Sequence, residues 1–287
     1  VRRQSLIGYQ PLPAYICALI FTAFAQHVED HAAPCHKFHN NRFRNRMNLA
    51  LIGYGKMGHT IERLAPTRGH RIVSLIDIDN YRTAFDSDAF RRADVAIEFT
   101  GPQTAYDNIT RCIDAGLPVV SGSTGWTARM DELKEHCLAA GGAFFYASNF
   151  SLGVNLFFAL SDHLAKLMNA YPDYDVRLSE THHIHKLDAP SGTAVTLAES
   201  IVRRIDRKTR WVRGQAQQAD EIGVESVREG EVPGTHEVTY DSPVDTIRLI
   251  HEAKSRDGFA LGALLAAEFI VGRRGVFGMN DLLRVNA

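Results

Sequence analysis

The sequence predicts an α/β fold, a Rossmann-type doubly wound parallel sheet joined to a second α+β domain that contains an open mixed sheet. Three observations carry this. A continuous apolar strand, Leu49 to Ile52, runs directly into Gly53-Tyr54-Gly55-Lys56-Met57-Gly58 and then into a helical pattern through Ile61, Leu64 and Ala65. Further short apolar runs alternate with helical stretches as far as Ala147, which is the pattern of a parallel sheet. Beyond Ser151 the period changes: Tyr174 to Glu180 alternates like a half-buried strand and needs a different sheet.

With 287 residues, 45% hydrophobic and 23% charged, the chain has material for two globular units. A formal net charge of -1 gives no reason to expect nucleic acid or a membrane surface as partner. In the first 46 residues, six Lys and Arg against Glu29 and Asp30 leave +4, and the remainder carries -5. Cations concentrated locally on an acidic body suit a small anionic ligand. Cys17, Cys35, Cys112 and Cys137 form no C-x-x-C pair, so thiols in a reducing, cytoplasmic compartment are expected. The apolar stretch Leu12 to Ala25 follows Arg2 and Arg3 like a secretory signal, but Pro13 breaks it and it is too short to span a bilayer. Residues 1–46 are therefore expected to be a leader that is non-native or disordered, with translation starting at Met47. The expected division is 47–150 plus 252–287 for dinucleotide binding and 151–251 for substrate binding and oligomerisation.

In the nucleotide half, Gly53 permits the tight turn, Gly55 lets backbone approach a pyrophosphate and Gly58 lets helix pack on strand. The strand Arg71 to Ile76 ends at Asp77, about 20 residues past the glycines, where a carboxylate accepts the ribose hydroxyls. An NADPH 2′-phosphate would meet Asp77 and Asp79, and the next residue is Ile78 rather than Arg, so NADH is favoured. Arg82 keeps NADPH open. The strands Ala93 to Thr100 and Pro118 to Ser121 end at Thr100-Gly101-Pro102 and at Gly122-Ser123-Thr124-Gly125, a rim expected beside the nicotinamide. Turn chemistry alone would explain Gly101-Pro102. The strand Ala143 to Ala147 runs into Ser148-Asn149-Phe150-Ser151, the expected domain exit. Phe259 to Ile270, apolar nearly all round, reads as a buried helix returning to the nucleotide domain. Chain crossings near Phe150 and His251 would let the domains close.

After an amphipathic helix from Leu156 to Met168, the strand ending at Glu180 feeds Glu180-Thr181-His182-His183-Ile184-His185-Lys186-Leu187-Asp188-Ala189-Pro190-Ser191-Gly192-Thr193. Three imidazoles, an ammonium and a hydroxyl-capped helix start form a proton-transferring, anion-binding segment. If the strand persists, His182, Ile184 and Lys186 share one face. A zinc site on His182, His183 and His185 is disfavoured, because neighbours in a strand point to opposite faces and Lys186 would repel the ion. No metal is expected. His185 reads as structural or exposed, Asp188 as fixing the turn, and Glu180 as orienting a histidine. The residues from Val224 onward and Thr246 to His251 read as further antiparallel strands.

The run E-x-H-H-x-x-K-x-D-A-P-S-G-T-A from Glu180 to Ala194 resembles, without a gap, the signature of the dihydrodipicolinate (4-hydroxy-tetrahydrodipicolinate) reductase family, and the resemblance extends from Met47 nearly to the end. It implies NAD(P)H-dependent reduction of 4-hydroxy-tetrahydrodipicolinate, via dihydrodipicolinate, to tetrahydrodipicolinate in lysine and diaminopimelate synthesis. By that resemblance His182 is the proton donor/acceptor and Lys186 the proton donor, while His183, Gly192 and Thr193 hold a substrate carboxylate. The family's dinucleotide contacts fall on Gly53, Tyr54, Gly55, Lys56, Met57, Gly58, Asp77, Gly122, Ser123, Thr124, Ser148, Asn149, Phe150 and Ser151. A homotetramer assembled through the second domain is also implied. Tyr54 and Lys56 depart from many members, and the basic residue often found after the ribose acid is absent. The residues fit that chemistry in their own right: reducing a cyclic imine with two carboxylates needs cations and a proton source. Two other classes compete: a dehydrogenase for another substrate, which has no need of the His-His-x-x-Lys run, and an inactive nucleotide sensor, which would be favoured had His182 or Lys186 been replaced.

Overall fold

Alternation within the apolar runs builds the first sheet. In the computed structural model, which describes residues 46–284, β1 (Asn48–Ile52), β2 (Arg71–Ile76), β3 (Val95–Glu98), β4 (Val119–Ser121), β5 (Ala143–Tyr146) and β11 (Gly275–Phe277) pair in the order β11-β5-β4-β3-β1-β2. Every pairing is parallel. The expected leader lies outside the described residues except at Arg46. Successive side chains leave a strand on opposite faces. Leu49 and Leu51 thus join one buried cluster, with Ile61 of α1 (Lys56–Leu64), while Ala50 and Ile52 join the other.

Two single turns, α2 (Tyr81–Ala84) and α3 (Asp88–Arg91), follow β2, and α4 (Ala105–Asp114) and α5 (Met130–Ala139) close the second face. Two of the three fingerprint glycines are sterically required, while an added Cβ on Gly55 would meet open space. Gly53 has φ +93° and an added Cβ would lie 2.1 Å from the Phe99 carbonyl oxygen, while one on Gly58 would lie 2.5 Å from the Gly53 oxygen.

Leaving β5, the chain starts α6 (Leu152–Met168), four residues before the expected Leu156, because the Ser151 hydroxyl accepts from the Val154 amide at 3.3 Å and caps it. The second sheet contains β6 (Asp175–His182), β7 (Arg210–Arg213), β8 (Glu221–Arg228), β9 (Thr235–Asp241) and β10 (Thr246–Glu252), ordered β10-β9-β6-β8-β7. Phe157 and Ala165 of α6, and Leu197, Ala198 and Ile201 of α7 (Gly192–Arg204), pack on Val176, Leu178, Ile222, Val224 and Val238. The sheet is mixed in a way the sequence reading did not give. β9 and β10 are antiparallel, as expected, but β8 runs parallel to β6 and β7 parallel to β8. A helix lies between β6 and β8, and a crossover of that length returns the chain in the same direction. β7 has one half-buried aromatic, Trp211, between arginines, too little apolar signal to read as a strand.

The buried helix is α8 (Asp257–Ile270), which covers the first sheet with α1 before β11 pairs with β5 and α9 (Met279–Leu283) ends the described chain. Arg68 and His70 both hold Glu268 of α8, at 2.6 Å and 2.9 Å, fixing that return. Among the described residues no helix is long and apolar enough to cross a membrane.

Candidate active site

Alternation along β6 turns Val176, Leu178, Glu180 and His182 to the helix-covered face; the first two enter the apolar core and the last two reach its end. Register sets their neighbours. Glu180 lies opposite Ser226 of β8 and His236 of β9, and His182 lies opposite Arg228. Glu180 is only 1% exposed, where an isolated carboxylate would be prohibitively costly. Its Oε1 accepts from Arg228 Nη2 at 3.1 Å and from the Ser191 amide at 3.0 Å. Its Oε2 stands 3.2 Å from His182 Nδ1 and 3.8 Å from His236 Nε2.

The 3.2 Å contact is close but not aligned as a hydrogen bond. Burial pushes the Glu180 carboxyl up, but the interactions with His182 and Ser191 outweigh it and hold the group well below the usual carboxylate range. An ionised Glu180 stands at the Nδ1 edge of His182 and leaves Nε2 on the opposite side of the ring. That nitrogen faces Gly234, where an added Cβ would sit 2.9 Å away.

The strand does not persist past His182, which corrects the expectation that His182, Ile184 and Lys186 share a face. The Glu229 amide bonds to the His182 carbonyl at 2.8 Å, the Ile184 amide to Gly230 at 3.1 Å and the Lys186 amide to His183 at 3.1 Å, so the chain turns. Arg228 clamps that turn: Nε donates to the Lys186 carbonyl at 3.2 Å and Nη2 to the Asp188 carbonyl at 2.6 Å. Lys186 Nζ lies 2.8 Å and 2.9 Å from the two Asp188 oxygens, a bond that holds the Asp188 carboxyl below its ordinary range. Asp188 is thus the lysine's partner more than a turn brace. His185 is exposed beside Glu231, and half-buried His183 has a buried Nδ1 with no partner among the described residues.

α7 starts where this turn ends. Ser191 Oγ accepts from the Ala194 amide at 3.2 Å, so its proton is free for His236 Nε2 at 3.1 Å. Burial, and next the neighbouring His182, push His236 down to about 4, so it is a neutral acceptor at neutral pH. The Gly192 and Thr193 amides fall in the first turn, where no intrahelical acceptor exists. One cavity of about 490 Å³ is lined by His182, His183, Lys186, Gly192 and Thr193, together with Ser148 and Asn149 from the end of the first sheet. That size suits a small-molecule ligand. Arg256, at the start of α8, adds a cation to its lining.

Among the described residues the donors that approach metal-site spacing are Glu180, His182 and His236, within 4.8 Å, not the three histidines weighed from sequence. Arg228 and Ser191 already engage two of them. His236, Arg228, Gly234 and Arg256 were missed in the sequence reading. The signal for His236 was its phase, shared with Val238 and Tyr240 along β9.

A second cavity, about 510 Å³, is lined by Gly53, Tyr54, Gly55, Asp77 and Thr100. Among the described residues no side chain caps α1, which leaves its first amides open to a phosphate. Asn80 accepts from the Asp77 amide at 2.9 Å, and the Asp77 carboxylate makes no hydrogen bond among the described residues, leaving it available to a ribose. A dinucleotide fits this set. The other expected contacts lie around it. Lys56 is exposed at the helix start, Met57 and Gly58 turn toward the protein, and Thr124 is exposed. Gly122 abuts Phe99, and Ser123 is buried on Glu98. Phe150 packs between Phe99 and Phe145, and Ser151 caps α6.

Family models described as dihydrodipicolinate reductase, N-terminus and C-terminus, match residues 47–150 and 153–283. The chain is 48% identical over 239 residues to the 4-hydroxy-tetrahydrodipicolinate reductase of Christiangramia forsetii, covering 83% of this chain and 98% of that protein. It is 35% identical over 237 residues to the enzyme of that name from Staphylococcus haemolyticus, covering 79% and 96%. Among solved structures, a dipicolinate-bound dihydrodipicolinate reductase from Paenisporosarcina sp. TG-14 superposes with a TM-score of 0.66 at 21% identity, covering 82% of this chain and 99% of that one, which bears on the fold alone.

Two outcomes follow from this geometry. Gly234→Ala crowds Nε2 of His182 and, with φ +148° at that residue, also strains the backbone, so it should lower turnover by about 10² or more, the usual scale for a disabled acid/base group, together with a lowered melting temperature. For His236 the folded value lies below the ordinary 6.5, so its stabilisation is complete above about pH 6.5 and is lost as pH falls toward 4. Thermal melts should show a decline on the order of 3 kcal/mol across that window, and His236→Asn should flatten it.

Proposed function

The chain belongs to the dihydrodipicolinate reductase family and is a nicotinamide-dependent oxidoreductase that reduces 4-hydroxy-tetrahydrodipicolinate in lysine and diaminopimelate biosynthesis, and on that premise we propose how its residues divide the work. The carrying observation is the convergence of His182, His183, Lys186 and the open amides at Gly192 and Thr193 on one cavity that also meets the end of the nucleotide sheet. A cyclic imine with two carboxylates matches that lining. Gly192, Thr193 and His183 hold one carboxylate, and Lys186 first pairs with the substrate and then releases a proton to it. Bound NAD(P)H supplies the hydride. His182, oriented by Glu180, is the second proton donor/acceptor beside the ring, and the apolar walls at Phe158 and Phe259 keep water from the reacting carbon.

Gly53, Tyr54, Gly55, Lys56, Met57 and Gly58 form the phosphate turn, Asp77 takes the adenosine ribose, and the loops at Gly122 to Thr124 and Ser148 to Ser151 border the redox end. NADH is the favoured cofactor: an unpaired Asp77 repels a 2′-phosphate, and Ile78, 90% exposed, offers it no cation. Arg82 remains a route to NADPH. Residues 47–150 plus 252–287 are the cofactor domain and 151–251 the substrate and assembly domain, closing about Phe150 and His251. A cytoplasmic homotetramer fits the exposed leucines Leu156, Leu160 and Leu167, which share one face of α6, and the buried free thiols Cys112 and Cys137.

The direct assay follows NADH absorbance with freshly made synthase product, using aspartate semialdehyde as control. Oxidation with the second compound and not the first would overturn the substrate. His182→Gln and Lys186→Ala should melt like wild type, retain cofactor and lose about 10² to 10⁴ in turnover. Asp77→Ala should raise KM for NADH by roughly tenfold while lowering that for NADPH, checked by initial rates with each.

A further inference from the structure

A buried carboxylate in the first sheet has no place in the roles above. Glu98, the last residue of β3, is 0% exposed and pairs with no Lys, Arg or His among the described residues. Hydroxyls and one amide surround it. Oε1 accepts from the Thr100 amide at 2.9 Å, Thr100 Oγ1 at 2.5 Å and Ser123 Oγ at 2.8 Å, and Oε2 accepts from Ser121 Oγ at 2.5 Å. Thr100 Oγ1 accepts in turn from Thr104 at 3.0 Å and Asn108 at 3.2 Å, and Trp126 Nε1 donates to the Ser123 carbonyl at 2.7 Å. Glu98 therefore joins the loops after β3 and β4, and Thr100, Thr104 and Asn108 line the cofactor cavity. Packing alone gives no reason for a charge here, since a buried anion without a counter-cation is costly even when hydrogen-bonded. A glutamine would fill the same volume.

We propose that Glu98 is a positioning residue for the redox end of the cofactor, binding the two rim loops together and placing an uncompensated negative charge behind them that favours the oxidised, cationic nicotinamide over the reduced, neutral one. The inference rests on the reading of this cavity as the NAD(P)H site. Hydride departure carries an electron pair to the substrate carbon and leaves the ring with one positive charge. A fixed anion behind the rim stabilises that charge as it develops, without moving during the reaction. A unit charge felt across roughly 12 Å at an effective dielectric of about 20 changes an equilibrium constant about tenfold.

The test is binding, measured on the full chain by titration calorimetry with NAD⁺ and with NADH, alongside a thermal melt. Glu98→Gln keeps the shape and can keep the loop bonds, because the Ser121 hydroxyl is free to turn and accept. The expected result is a cooperative melt with the Kd for NAD⁺ raised about tenfold and that for NADH raised less than about threefold. Equal affinities to wild type, or equal losses for both forms, would overturn the electrostatic role. Should Glu98→Gln fail to melt cooperatively, the double variant Ser121→Ala with Ser123→Ala keeps the charge and removes two ties: weaker binding of both forms supports the rim role, and unchanged binding overturns it. A wild-type chain that binds neither form would remove the cofactor reading itself.

Discussion

The buried Glu180 carboxylate is the contact on which the second half of the molecule depends. It satisfies Arg228 and the first amide of the Ser191 cap, and stands beside the imidazole of His182. Each partner is then committed elsewhere: Arg228 to the carbonyls of Lys186 and Asp188, Ser191 to Ala194 and His236. One charge thereby sets the ring orientation, the turn carrying the lysine and the helix start. Breaking a buried ion pair from one side typically costs about 3–5 kcal/mol, a large part of the net stability of an ordinary domain.

The two sheets solve different electrostatic problems. In the first, strand ends and a helix start without a side-chain cap leave backbone amides for phosphate, while the Asp77 carboxylate has no partner among the described residues. In the second, the sheet face ends in a row of ionisable groups from β6, β8 and β9, and the helix above it supplies amides in place of further cations. α6 joins these ends, its capping residue following Ser148 and Asn149, which line the same cavity as His182 and Lys186. The chain leaving the first sheet therefore enters a capped helix rather than a free linker.

What could be read from the amino acids follows a physical division. Local periodicity and local sterics reported themselves: the glycine turn, the parallel strands, the buried α8 and the hydroxyl cap at Ser191 all depend on neighbours in sequence. The pairing of β6 with β8 depends on how a crossover closes, and the alternation that marks a strand carries no direction. His236 and Arg228 escaped notice because they reach Glu180 through register across the sheet, 56 and 48 residues away along the chain. The turn after His182 is made by amides and carbonyls from Glu229 and Gly230, and no side-chain pattern within the motif could announce it.

The pairing of Lys186 with Asp188 has a consequence for selectivity. The ammonium already owns an internal carboxylate, so any incoming acid exchanges one ion pair for another and gains little at that point. Net attraction must come from a second anionic group that reaches the amides at the head of the helix and has no internal rival there. On the proposed reading of this cavity, monoacids would be discounted and diacids admitted, with discrimination arising from competition inside the protein instead of from the width of the entrance.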